Sequence, residues 1–257
     1  MNRMKAEELI NQILEKKVVC DKNGKEYPLH ANVDKREGEF LRGLIEKYKP
    51  AESIEIGCAY AMASLYMCSA LEKNSSRHHT IIDPYQSTEW NNVGIANLER
   101  AGIDFFELIE KPSEIALPYL HSQGKKYDFG LIDGWHTFDH TLIDFFYLDK
   151  MLNINGVIVI DDIGLPSINK LMRYIMTYPS YEQVGHVEME DSKQSVLNSI
   201  AKVPFRIAAK LMPERYRYRF FSSSIIKSEE SLNLSSSMIA LRKVKQDERS
   251  WDWFKEF

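Results

Sequence analysis

Several protein classes are excluded by what this sequence lacks. Its 257 residues hold only three cysteines, Cys20, Cys58 and Cys68. None is spaced C-x-x-C, so neither a disulfide framework nor a cysteine zinc motif is encoded, and the pattern fits reduced, buried thiols of a cytoplasmic protein. Positive charge is not in excess: 33 Lys and Arg stand against 37 Asp and Glu, a net charge of −4. That argues against a dedicated nucleic-acid binder, although a local basic patch remains compatible with it. No run approaches the ~18 apolar residues of a membrane span. The first residues, MNRMKAEELINQILEKK, lack the apolar stretch of a secretory signal. Internal repeats, low-complexity tracts, G-x-G-x-x-G, a phosphate loop and H-E-x-x-H are all missing.

What is present is an alternation of short apolar strands and helices. The N-terminal 50 residues read as mainly helical. Leu9, Ile10, Ile13 and Leu14 share one helical face, a turn-rich break falls at Asp21–Gly24, and a second helix over 34–49 ends at Pro50. Strands then follow at 53–56, 80–82, 105–109, 127–132 and 157–160. Helices are expected over 65–71, 89–101, 113–121, 138–151 and 168–177. A further strand is expected at 181–188 and a last one at 237–243. Strands without a polar face, separated by helices, predict an α/β fold with a doubly wound, Rossmann-like, mostly parallel sheet and an antiparallel last strand.

In such sheets ligands bind beyond the carboxyl ends of the strands. The first strand leads into Ser53-Ile-Glu-Ile-Gly-Cys-Ala-Tyr-Ala-Met-Ala-Ser64. Gly57 and Ala61 are small enough for a ligand to approach the backbone, and the next helix N-terminus offers free N–H groups. Glu55 can accept from an ammonium or orient loop amides. The same pattern also describes a tight turn with no ligand. Asp83 ends the second strand, where a carboxylate can take ribose hydroxyls or simply cap a turn. Ser113 and Glu114 follow the third, suited to an adenine edge or to capping. Asp133 and the pair Asp161-Asp162 end two further strands. Three carboxylates brought together raise one another's pKa unless a cation joins them, and an all-oxygen set suits Mg²⁺, Mn²⁺ or Ca²⁺. An acid pair that only caps or binds substrate is the alternative. His136 and His140, four apart, also permit zinc, without a supporting motif.

Two segments carry a family likeness. Tyr127–His140, YDFGLIDGWHTFDH, resembles the D-G-x-H-x-Y segment of the methyltransferase 24 family, and Leu152–Asp162, LNINGVIVIDD, resembles its L-x-x-G-G-x-x-x-x-D-D segment. That family is related to catechol, caffeoyl-CoA and macrolide-sugar O-methyltransferases. The likeness covers about residues 38–166 and the last strand. It implies an S-adenosylmethionine site of Glu55, Gly57, Ala61, Ser64, Asp83, Ser113 and Asp133. It implies a divalent cation, Mg²⁺ by preference, on Asp133, Asp161 and Asp162. His136 falls where the catechol enzymes have a catalytic lysine, so His136 and Asp133 are the expected catalytic pair. Ala61 replaces a usual glycine, and Asn155-Gly156 replaces Gly-Gly. The implied organisation is a helical cap (1–50), a methyltransferase core (51–189 and 235–257) and an insertion or lid (190–234).

The insertion lies outside the likeness. Within it, residues 201–221 read AKVPFRIAAKLMPERYRYRFF, with six Lys or Arg against one Glu. A lid, a grip on an acidic glycan, peripheral contact with an anionic membrane, and a solvated face packed on the domain are all consistent with it. Tyr216, Tyr218, Phe220 and Phe221 suit stacking on a sugar, core packing or a homo-oligomer contact, and Trp251, Trp253 and Phe254 suit packing. The leading expectation is O-methylation of a sugar or glycan hydroxyl. The alternatives are a small phenolic or catechol-like acceptor, or a non-catalytic nucleotide-binding scaffold. An iron oxygenase is disfavoured because no 2-His-1-carboxylate spacing is visible.

Overall fold

Isoleucine ends strand after strand in this sequence, and the fold lines those isoleucines up. In a computed structural model that describes residues 5–30, 32–189 and 203–257, the main sheet has seven strands. These are β3 (Glu52–Ile56), β4 (His78–Ile82), β5 (Phe106–Ile109), β6 (Tyr127–Ile132), β7 (Leu152–Ile160), β8 (Tyr181–Glu188) and β9 (Ser236–Lys243). Their order is β5-β4-β3-β6-β7-β9-β8. The first five run parallel, and β9 is antiparallel to both β7 and β8. The expected doubly wound sheet with an antiparallel last strand is therefore present.

Ile82, Ile56, Ile132 and Ile160 pair in one row across the sheet, extended by Ile109 at one side and Ile239 at the other. These side chains face a core built with α5 (Ser113–Ser122), α6 (Phe138–Met151) and α7 (Pro166–Ile175). The alternate strand residues, among them Leu131, Val157 and Val159, face the opposite core. That core contains α1 (Ala6–Lys16), α2 (Lys35–Tyr48), α3 (Met62–Leu71) and α4 (Val93–Arg100). The period of two along each strand thus feeds two apolar layers. Each such buried side chain contributes roughly 1.5–3 kcal/mol.

Three elements differ from the sequence reading. The N-terminal segment is not purely helical, since β1 (Val18–Cys20) and β2 (Glu26–Pro28) form an antiparallel hairpin. Asp21 closes its turn by accepting the N–H groups of Asn23 and Lys25. The helix expected from Glu89 starts only at Val93, because Asn91 and Asn92 are left-handed, with φ of 52° and 56°. Strand β7 reaches back to Leu152, with a register shift between its pairings at Tyr127 and Phe129 and with Asn155 at φ 70°. Residues 190–202 of the expected insertion lie outside the described residues. Its described part forms α8 (203–211), α9 (Glu214–Phe220) and α10 (Ser223–Ile226). In the tail Trp253 packs beside Arg249, whereas Trp251 and Phe254 are exposed rather than packed.

Strand order reverses between β3 and β6, so a crevice opens at their carboxyl ends. The strands approach closely there. Gly57 has φ 86°, and a Cβ on it would sit 2.0 Å from the Asp133 carbonyl oxygen. We expect Gly57→Ala to lower unfolding stability by about 2–3 kcal/mol. A urea midpoint equal to that of the unaltered protein would mean the two strand ends are not so tightly joined.

Candidate active site

The residues after Ile56, Ile82, Ile132 and Ile160 all line one cavity. Gly57 donates its N–H to Ile82, Asp83 to Ile109, Asp133 to Ile56 and Asp161 to Ile132, at 2.9–3.3 Å. The parallel ladder therefore runs one step past the strands and fixes these four residues as a row. Above that row lies a cavity of about 960 Å³. Its wall includes Glu55, Gly57, Asp83, Ser113, Asp133, His136, Asp161 and Asp162.

On the β3–β4 side, Glu55 is almost fully buried. Its Oε2 accepts from the Ser64 hydroxyl and lies 3.1 Å from His79 Nε2, while Oε1 is buried with no protein partner. His79 is itself buried, its Nδ1 2.9 Å from the Ser53 hydroxyl. One oxygen of Glu55 is thus anchored, and the other is left for a ligand. Asp83 orders the glycine turn. Its Oδ2 accepts the N–H groups of Cys58 and Ala59 and the Gln86 amide, whereas Oδ1 takes only the Tyr85 N–H. What accepting capacity remains on Asp83 is therefore mainly on Oδ1. Ala61 precedes α3 as its N-cap, left-handed at φ 61° and without a side-chain hydrogen bond, so the first amides of the helix are open to an anion. Met62 and Ala63 stand on the cavity wall. Ala61 and Ser64 do not: Ala61 is fully buried, and Ser64 is spent on Glu55.

On the β6–β7 side, His136 Nε2 lies 3.1 Å from Asp162 Oδ2 and 3.9 Å from Asp133 Oδ1. Asp133, His136 and Asp162 each bring one ligand atom within 4.8 Å of the others. Asp161 stands beside this group and accepts the Asp162 N–H through Oδ1 at 2.7 Å. Desolvation and the neighbouring carboxylates of Asp161, Glu55 and Asp162 hold the Asp133 carboxyl well above its usual range. Burial, then the Glu37 carboxylate, push Asp161 up to about 7. No described lysine or arginine lines this cavity. Carboxylates crowded without a cationic side chain are a donor set that a hard divalent cation would relieve. His140 does not join His136; its Nδ1 lies 2.8 Å from the Thr137 hydroxyl.

The remaining wall comes from Ser113, Glu114 and Trp135 and from Asn32, Val33 and Glu37 of the N-terminal segment. Trp90, also on the wall, forms an aromatic cluster with Tyr60 and His30 behind it, with centroids 5.1–5.7 Å apart. No described residue of 203–234 lines the cavity.

Residues 54–163 match the methyltransferase 24 family, described as a methyltransferase domain. This segment holds the whole row of strand-end residues. Those residues form a methyltransferase domain of that family. Solved structures share its fold at low identity. The O-methyltransferase from Bacillus cereus, in complex with S-adenosylhomocysteine, is 17% identical at a TM-score of 0.56, over 70% of this chain and 81% of that one. Cofactor-bound Rv0187 from MTB is 14% identical at 0.59, over 93% and 89%. TomG from Streptomyces achromogenes, described as involved in tomaymycin synthesis and solved with S-adenosylmethionine, is 15% identical at 0.55, over 72% and 82%. No curated protein sequence matches the chain.

The methyl donor fits these residues. The unpartnered Glu55 Oε1 suits its ammonium, and the uncapped start of α3 suits its carboxylate. Sequence reasoning missed His79, Gln86 and Glu37. A histidine at the start of an apolar strand marked the first, and the Asp34-x-x-Glu37 capping box marked the last. Two expectations follow. Glu55→Gln should weaken S-adenosylmethionine binding about 10- to 100-fold by calorimetry, the worth of a charged hydrogen bond; unchanged affinity would remove Glu55 from the donor site. Asp144, on α6 behind Ser113, is raised by burial to about 6, an effect the Ser113 hydroxyl only partly opposes. Its unfolded pKa is near 4, so the folded chain holds the extra proton between about pH 4 and 6, and stability falls as pH rises through that window. Asp144→Asn should therefore gain up to about 3 kcal/mol over the unaltered protein at pH 8 and almost nothing below pH 4. Equal differences at both pH values would refute the burial cause.

Proposed function

We propose that this methyltransferase acts on a hydroxyl of a small-molecule acceptor, in the manner of a phenolic or catechol-like O-methyltransferase, with help from a divalent cation. The observation that carries the reading is His136 set 3.1 Å from Asp162, above the strand-end aspartates. Two of the solved neighbours are described as O-methyltransferases, one of them in connection with tomaymycin. A sugar or glycan acceptor was the first expectation, argued from the insertion as a lid over a bulky substrate. With no described insertion residue on the cavity wall, the small-molecule alternative is the better supported.

The chemistry follows from placement. Glu55 and the start of α3 hold the methionine moiety of the donor, while Ser113 and Gly134 border the place for its adenosine end. Asp133, Asp161 and Asp162 are the residues that would hold the cation. When bound there, it would make the acceptor hydroxyl more acidic. His136 takes the proton from that hydroxyl. The oxygen then bonds the methyl carbon, the C–S bond breaks, and its electron pair returns to sulfur, leaving neutral S-adenosylhomocysteine. Holding oxygen, carbon and sulfur in line is the main contribution of the cavity walls.

Release of S-adenosylhomocysteine over a panel of catechols, phenols and sugars tests the acceptor class; turnover confined to sugars would reverse the choice. His136→Ala should lower turnover by about 10²- to 10⁴-fold with donor affinity unchanged. An unaltered rate would remove it as base, and full activity in a chelator would reject the cation.

A further inference from the structure

The apolar residues of the basic insertion remain outside every contact described so far. In α8, Val203, Ile207 and Leu211 recur every fourth residue and so form one stripe. They are 44%, 56% and 83% exposed. Ala209, on the opposite side of the helix, is 2% exposed, so the helix meets the protein body there and the stripe faces away from it; Phe205, one turn before Ala209, is itself 56% exposed. Arg206 and Lys210 fall directly beside the stripe by the same helical spacing. Arg217 of α9 donates to the carbonyls of Met212 and Lys210, joining the two helices into one unit. That unit adds exposed Phe220 and Arg219. Residues 203–221 carry five Lys or Arg and one Glu.

The position of this unit is set by topology. Strand β8 runs the same way as β7, and β9 runs opposite to both. The chain therefore leaves the sheet after β8 and returns before β9 at the carboxyl edge, the edge that holds the cavity. Met189, the first residue after β8, lies against Gly164, two residues beyond Asp162.

We propose that α8 and α9 form a docking face for an anionic lipid surface. An outward apolar stripe flanked by cations is what an interfacial helix offers: the apolar side enters the acyl boundary while Lys and Arg meet the headgroups. Charge complementarity selects anionic over neutral lipid. The contact is peripheral, since no helix among the described residues is long and apolar enough to cross a membrane. It also gives this unit a role apart from catalysis, in keeping with its absence from the cavity wall.

Co-sedimentation of the full chain with phosphatidylcholine vesicles, with and without about 30% phosphatidylglycerol, tests this. Binding is expected only with the anionic lipid, and it should weaken at high salt. The pair Ile207→Ser and Leu211→Ser should lower it at least about tenfold, as should Lys210→Glu with Arg219→Glu. Because these side chains are exposed and off the cavity, S-adenosylhomocysteine binding should stay unchanged in both variants, which verifies folding. Failure of the unaltered protein to bind anionic vesicles overturns the proposal. So does equal binding by the variants. So does a dimer that the serine pair dissociates, with no vesicle binding, since the stripe would then be a contact between two copies.

Discussion

The active edge of this protein depends on the registration of five parallel strands. Because Ile109, Ile82, Ile56, Ile132 and Ile160 lie in one row, the residues that follow four of them emerge side by side. Their backbone amides extend the ladder by one further bond each. Hydrophobic burial fixes the register, since slipping any strand by one residue would turn its apolar set to the wrong core. Polar groups are laid on top of that packing: Asp83 and Gly57 on the β3–β4 side, Asp133 and Asp161 on the β6–β7 side. A change in core volume beneath the row would reach the site through these strands, with no contact to either substrate.

Electrostatics is where site and fold pull against each other. The cavity gathers carboxylates from four strand ends and from α2, without lysine or arginine among the described residues of its wall. Asp133 and Asp161 are shifted upward as a result, by desolvation first and by one another's neighbours second. On the donor side the same conflict is settled internally, since buried His79 and Ser64 both serve one oxygen of Glu55. The two halves therefore differ in kind. In one, a carboxylate oxygen is held by a histidine and a hydroxyl of the protein, and the other is left to whatever enters the cavity.

The strands and their terminal acids were legible in the sequence because both are local signals: an apolar run, then Gly or Asp. Strand β6 and helix α6 came out with the expected limits for that reason. Contacts between distant segments were not legible. Nothing in the 53–64 motif says that Ser64 would turn inward to Glu55 while Ala63 faces the cavity. The His79–Glu55 pair spans 24 residues of sequence. Glu37 reaches the acidic group only because α2 packs over the sheet. The hairpin at Val18–Pro28 was hidden by the helical signals on both sides of it. The exposed stripe of α8 was visible as composition, but its outward direction required the fold.

Ala59 and Ala61 both sit in the left-handed region, at φ 47° and 61°. Alanine resists that conformation, at a cost on the order of 1 kcal/mol each. Where glycine is usual at the second position, this chain accepts the strain. The return is a loop with fewer conformations to lose, so less entropy is surrendered when a methyl donor settles against it. The glycine turn is in this sense preset by two methyl groups, one of them on the cavity wall.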